Sequence, residues 1–181
     1  MSTAEAKSDI EILFASADIA KRNEELAEEI AKSMGSDILV IAVLKGSFVF
    51  AADLIRALHH AGVKPQIDFM ALSSYGDKTV SSGNVMITRD IVDTVKGRKV
   101  LLIDDILESG RTMAFATQEL LERGADTVKT CLMLDKKGKR VSGFEADFVG
   151  FDCPDLFVVG YGLDYAHYYR ELPYIGYIVK H

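Results

Sequence analysis

The densest chemistry in the chain lies in residues 100–113, which read VLLIDDILESGRTM. An apolar strand runs straight into two adjacent carboxylates, Asp104 and Asp105. Three residues later comes a third acid, Glu108, and then Ser109-Gly110-Arg111-Thr112 opens a helical pattern. Gly110 allows a tight turn, and the backbone amides of 109–112 are the unpaired donors of a helix N-terminus, which favours an anion. The hydroxyls of Ser109 and Thr112 add donors. One strand end therefore offers an anion cradle beside a carboxylate cluster, where a phosphate could sit next to Mg²⁺ or a sugar diol. Two other phosphate signatures are excluded. GxxxxGK[ST] is absent, and Gly160-Tyr161-Gly162 lacks the third glycine and the downstream acid of a dinucleotide fingerprint.

These groups have to be positioned by regular elements, and hydrophobic spacing supplies them. Residues 18–34 read as an amphipathic helix with Asp18 as N-cap, Gly35 as stop and Ile19, Leu26, Ala27, Ile30, Ala31 and Met34 on one face. Residues 38–44 are a continuous apolar run, as in a strand buried on both faces. Lys45-Gly46 ends it, and Phe48 to His60 has helical spacing. Further strands are expected over 66–72, 84–88, 99–104 and 127–134, with a helix over 112–123. The tail alternates short apolar runs (148–151, 156–160, 174–179) with turns. Residues 73–83 are small and polar without periodicity and read as a long loop. Strands alternating with helices argue for an α/β fold with a mostly parallel sheet and ligands at the carboxyl ends of its strands.

With 181 residues the chain is expected to form one domain over 1–181. There are 21 basic and 27 acidic residues, a net charge of −6, which disfavours duplex nucleic acid and basic membrane-surface binding. Residues 1–33 hold 4 bases and 8 acids, so most of the excess acidity lies away from the cluster. The two cysteines, Cys131 and Cys153, form no CxxC and read as reduced core thiols. His59, His60, His167 and His181 show no ligand spacing. The N-terminal segment lacks a basic-then-apolar signal pattern and no apolar run approaches the ~18 residues of a membrane span. The expected compartment is the cytoplasm.

VLLIDDILESGRT resembles the phosphoribosyl-pyrophosphate motif of the type I phosphoribosyltransferases. The likeness continues through LKGS (44–47), SSYG (73–76), LDKK (134–137), DFVGFDCPDLFVVGYGLDY (147–165) and YYREL (168–172), in order across residues 38–179, as in the hypoxanthine-guanine branch of that family. The resemblance implies a twisted, mostly parallel sheet flanked by helices, with a small purine-binding hood formed by the chain termini, from 135–181 and the N-terminal segment. It implies an Mg²⁺-dependent transferase of purine salvage, moving 5-phosphoribosyl from phosphoribosyl pyrophosphate to hypoxanthine or guanine. Residues 73–83 become a lid with Ser74 and Tyr75 at its start.

Under the same resemblance Asp104 and Asp105 hold the ribose hydroxyls and Mg²⁺, while Ser109, Gly110, Arg111 and Thr112 cradle the 5′-phosphate. Glu108 takes the general-base position, where the family usually carries Asp. Lys45, Gly46 and Arg170 contact pyrophosphate, and the Leu44–Lys45 bond is expected to be cis. Lys136 reads the 6-oxo group, Phe157 stacks on the purine, the Val158 main chain reads its edge, and Asp164 lies beside the purine and binds a second Mg²⁺. The partners are small molecules and further copies of the chain, as a dimer or tetramer. Two other readings stand beside this one. The first is a regulator of the same fold that binds nucleic acid, which the KKGKR run (136–140) alone would suggest. The second is the same reaction with xanthine.

Overall fold

The computed structural model describes residues 9–75 and 84–179. Thirteen elements follow one another. They are β1 (Ile10–Phe14), α1 (Ser16–Met34), β2 (Leu39–Leu44), α2 (Phe48–His60), β3 (Gln66–Tyr75), β4 (Asn84–Arg89), β5 (Lys99–Leu107), α3 (Arg111–Glu122), β6 (Thr127–Asp135), a single 3-10 turn (Lys137–Lys139), β7 (Phe148–Asp152), β8 (Val158–Val159) and β9 (Ile175–Ile178). Six strands form one sheet in the order β4-β3-β2-β5-β6-β7, parallel except for β4. β1, β9 and β8 form a separate antiparallel sheet, the hood.

The continuous apolar strands work because both faces of the main sheet are covered. In β2, Val40 and Ala42 point to one layer and Leu39, Ile41 and Val43 to the other, the two-residue period of a strand. The first layer packs on α1 and α2 through Leu26, Ile30, Phe50 and Leu54. The second packs on α3 through Met113, Ala116 and Leu120. Arg22 of α1 fastens that helix to β7 by donating to the carbonyls of Gly150 at 2.9 Å and Val149 at 2.7 Å. Cys131 and Cys153 are free and buried, and burial pushes both thiols above their ordinary range. Among the described residues, no helix is long and apolar enough to cross a membrane.

The elements that differ most from the sequence reading are α1, β1, β5 and β3. α1 starts two residues earlier, after an extended Ala15, so Asp18 is not the cap but an acid in the first turn, where the helix dipole favours it. β1 was not expected. It is a five-residue strand whose partner, β9, lies at the other end of the chain, with Ile10 opposite Ile178. β5 does not end at Asp104 but runs to Leu107, because Ile106 and Leu107 pair with Leu134 and Asp135 of β6. Ser73, Ser74 and Tyr75 are not loop residues. They extend β3 against β4, with Ser74 opposite Val85 and Tyr75 opposite Asn84, while the rest of the expected lid, 76–83, lies outside the described residues.

The hood is tied to the helices by a buried polar relay. Asn23 of α1 donates to the Tyr161 hydroxyl at 2.8 Å, and that hydroxyl donates to Asp53 of α2 at 2.6 Å. Removing the hydroxyl leaves the buried Asn23 and the half-buried Asp53 each short of a hydrogen bond. Tyr161→Phe is therefore expected to lower stability by about 1–3 kcal/mol in urea denaturation, and an unchanged midpoint would contradict the relay's role.

Candidate active site

The carboxyl ends of β2, β5 and β6 meet at one edge of the sheet, and the chemistry-bearing residues of the sequence gather there. Asp104 and Asp105 are consecutive residues of the central strand β5, both half-buried. Each caps its own neighbourhood: Asp104 accepts from the Asp105 amide at 2.8 Å, and Asp105 accepts from the Ile106 amide at 2.7 Å. Burial holds both carboxyls above the ordinary carboxylate range, Asp104 well above it with the Asp105 charge as second cause. The Asp105 shift is opposed by hydrogen bonding and by the charge of Arg170.

Gly46, in the turn between β2 and α2, lies directly against this pair. A Cβ there would overlap the Asp105 carboxylate, so the backbone can come this close only at glycine. The Leu44–Lys45 peptide bond is cis, Lys45 is exposed, and the Ser47 hydroxyl donates to the Val43 carbonyl at 2.5 Å. Gly162 backs the same turn, its α-carbon set against the Gly46 carbonyl. Arg170 donates to the Gly162 carbonyl at 2.5 Å and pairs with Asp164 at 3.0 Å. Asp164 also accepts from the His167 amide at 2.9 Å.

On the other side of the acid pair the chain turns into α3. Gly110 sits at φ +81°, in the left-handed region open to glycine. The Ser109 hydroxyl accepts from the Arg111 amide at 3.3 Å. α3 begins at Arg111, one residue before its expected start, followed by Thr112. Its first turn carries neither an acidic residue nor a side-chain cap from Gly110, so no acid offsets the positive end of the helix that follows Glu108.

A cleft of about 420 Å³ opens beside this turn, lined among others by Glu108, Lys136, Phe157, Val158 and Asp164. The Lys136 side chain is 6% exposed and its ammonium donates to the Glu108 carboxylate at 3.0 Å. Phe157 is 54% exposed and meets the Tyr165 ring edge-on at 5.5 Å. Val158, in β8, is buried and supplies hood backbone to the wall. The structure thus brings Glu108, Lys136, Phe157, Val158 and Asp164 to one cleft, sets Gly46 against Asp105 and joins Arg170 to Asp164, with Lys45, Arg111 and Thr112 on the flanking turns and Ser74 and Tyr75 in β3 on the same edge of the sheet.

Three features were not read from the sequence. One is the Glu108–Lys136 pair, which joins residues 28 positions apart. Another is Lys139 and Asp155, which line the cleft as an ion pair at 3.2 Å. The third is the division of the basic run 136–140. Lys137 pairs with Asp152 at 3.0 Å and Arg140 pairs with the buried Asp135. Acids at 135, 152 and 155 were visible in the sequence, but nothing local assigns them to particular bases.

The donor set also suits a divalent cation of one kind. Among the described residues no three or more His, Cys, Asp or Glu converge into a cage. Two adjacent carboxylates in an uncomfortable, half-buried position form instead a partial oxygen shell, the arrangement in which Mg²⁺ is completed by water and substrate phosphates.

Comparison with known proteins agrees with this geometry. The family model described as "Phosphoribosyl transferase domain" matches residues 9–166. The chain is 46% identical over 172 residues to the hypoxanthine-guanine phosphoribosyltransferase of Bacillus subtilis, covering 94% of each. It is 39% identical over 176 residues to the hypoxanthine phosphoribosyltransferase of Escherichia coli, covering 96% of this chain and 97% of that one. A crystal structure of a hypoxanthine phosphoribosyltransferase from Staphylococcus aureus superposes with a TM-score of 0.89 at 38% identity, covering 99% of this chain and 96% of that one.

The raised acid pair has a measurable consequence. A carboxyl held higher in the folded state than in the unfolded chain binds more protons when folded. Ligand-free stability therefore falls as pH rises from the ordinary carboxylate value through the raised one. Asp104→Asn is expected to flatten that fall and to raise the ligand-free Tm near neutral pH by about 2–4 °C for each kcal/mol relieved. A variant with the wild-type pH dependence would contradict the assignment of strain to this pair.

Proposed function

The chain belongs to the phosphoribosyltransferase family, and on that premise we propose that it is a purine salvage enzyme transferring 5-phosphoribosyl from phosphoribosyl pyrophosphate to hypoxanthine and guanine, giving IMP, GMP and pyrophosphate. The observation that carries this reading is the cleft in which Lys136, Phe157 and Val158 stand beside Glu108, next to the acid pair and the open end of α3.

The bond from ribose C1′ to pyrophosphate oxygen breaks and a bond from C1′ to a purine ring nitrogen forms. A proton leaves the purine and negative charge grows on pyrophosphate. The first turn of α3, with Ser109, Gly110, Arg111 and Thr112, takes the 5′-phosphate. Asp104 and Asp105 hold the ribose hydroxyls and are the ligands for Mg²⁺, with Asp164 for a second ion. When bound, Mg²⁺ offsets the charge of the pyrophosphate. Lys45, Gly46 and Arg170 receive the leaving group, and the Arg170 guanidinium stays charged throughout.

At the purine, Phe157 offers an exposed ring face for stacking and the Val158 main chain reads the base edge. The Lys136 ammonium has three donors, of which Glu108 uses one. The others suit a 6-oxo oxygen, whereas the 6-amino group of adenine meets donor with donor. Glu108 accepts the purine proton. Its extra methylene relative to Asp is accommodated by the reach to Lys136, so the carboxylate remains fixed although the arm is longer.

The nucleic-acid reading loses its main support because Lys137, Lys139 and Arg140 are paired with Asp152, Asp155 and Asp135. Two free, buried cysteines suit a reducing cytoplasm. The proposal includes assembly as a dimer or tetramer, which sedimentation would measure.

Three measurements test the reading. Incubation with Mg²⁺, phosphoribosyl pyrophosphate and each purine separately is expected to yield IMP and GMP but no AMP. XMP alone would move the assignment to xanthine, and no product from any 6-oxopurine would overturn it. Glu108→Gln is expected to lower kcat by about 100-fold or more with a smaller change in KM, and wild-type kcat would remove the base role. Lys136→Ala is expected to raise the KM for hypoxanthine by roughly 10-fold or more, the value of a hydrogen bond to a charged group, and an unaltered KM would remove the base-reading role.

A further inference from the structure

Arg140 closes the basic run that looks solvated in sequence, yet its side chain is 9% exposed. Its guanidinium is spread over acceptors from different parts of the chain: the Asp135 carboxylate at the end of β6, itself 2% exposed, the Phe144 carbonyl, the Glu145 carboxylate at 3.3 Å and the Glu108 carbonyl at 3.1 Å. The last of these belongs to the turn between β5 and α3.

We propose that Arg140 is a positioning residue that holds the Glu108-Ser109-Gly110 backbone, and with it both the Glu108 carboxylate and the helix end next to it, in working geometry. The inference rests on the proposed roles of residues 104–112. Glu108 is gripped at two points, its carboxylate by Lys136 and its carbonyl by Arg140. The next carbonyl, of Ser109, receives the amides of Val141 and Ser142, each at 3.2 Å, and the Ser142 hydroxyl at 3.0 Å. Gly110 faces the same segment, and a Cβ there would strike Ser142, Phe144 and the Arg140 side chain. Residues 140–144 therefore form a splint on the turn, and Arg140 is the member that ties the splint to β6.

Stability alone is a poor reason for this arginine. A buried ion pair is often replaceable by apolar residues of the same volume at no loss. What an apolar residue, or a lysine, lacks is a planar fork reaching two carbonyls and a carboxylate at once.

The test compares R140K, which keeps a cation for Asp135, with R140A, by steady-state kinetics, thermal unfolding and amide hydrogen exchange. R140K is expected to lower kcat and raise the KM for phosphoribosyl pyrophosphate, with kcat/KM falling about 10–100-fold as for a displacement near 1 Å, while Tm stays close to wild type. Val141 and Ser142 amides are expected to exchange faster than the neighbouring β6 amides. Free guanidinium ion is expected to restore part of the R140A activity and leave the wild type unchanged. Wild-type kcat and KM in R140K, or R140A losing activity only in proportion to its unfolded fraction with no rescue, would overturn the proposal. Wild-type protein forming no nucleotide would overturn the proposed reaction instead, and exchange at Val141 and Ser142 would still decide the positioning role.

Discussion

Asp104 and Asp105 stand side by side at the end of the innermost strand, where burial makes both costly to charge and the Asp105 charge adds to the cost at Asp104. Most of the site follows from that placement. The neighbouring turn must carry glycine at 46, because any side chain there would occupy the space of the Asp105 carboxylate. A counter-charge must lie close by, and Arg170 supplies it from the hood while its other contacts hold Gly162 and Asp164. The strained pair is also what makes a metal with phosphate oxygens a fitting partner. A cation held there would offset the charge that burial makes costly.

Much of the scaffold was legible because it depends on local pattern. α2 was read from Phe48 to His60 and found there, since its apolar spacing and its flanking glycines act within a single turn of chain. β2 and the first half of β5 are legible as unbroken apolar runs because both their faces are covered. β1 escaped for the opposite reason. Ile10–Phe14 alternates weakly, and only its pairing with β9, far along the chain, makes it a strand. The extension of β5 through two aspartates was hidden too. Carboxylates argue against a strand, and the pairing of Ile106 and Leu107 with β6 overrides that local preference.

The site shows the same division. Residues 104–112, 136, 157–158, 164 and 170 stand in short contiguous blocks, which is why the sequence singles them out as candidates. What the sequence did not reveal was the sorting of charge. Five residues from 136 to 140 hold four bases that look equivalent in one dimension. In three dimensions Lys136 turns inward to Glu108, Lys137 and Lys139 pair with Asp152 and Asp155, and Arg140 is buried against Asp135. The identities of those partners are set by the approach of β7 and the 153–157 segment to the end of β6, which no periodicity encodes.

The pairing of Ile10 with Ile178 gives the hood a particular place in the history of each molecule. Bringing two strands together across nearly the whole chain has a large closure entropy when the chain is free, and very little once the intervening sheet has already drawn the ends near. The hood is thus a late acquisition of folding. β8, which carries Val158 into the cleft, pairs with β9 and shares that timing. The wall that carries Val158 is therefore expected to form after the sheet end that carries Asp104 and Asp105.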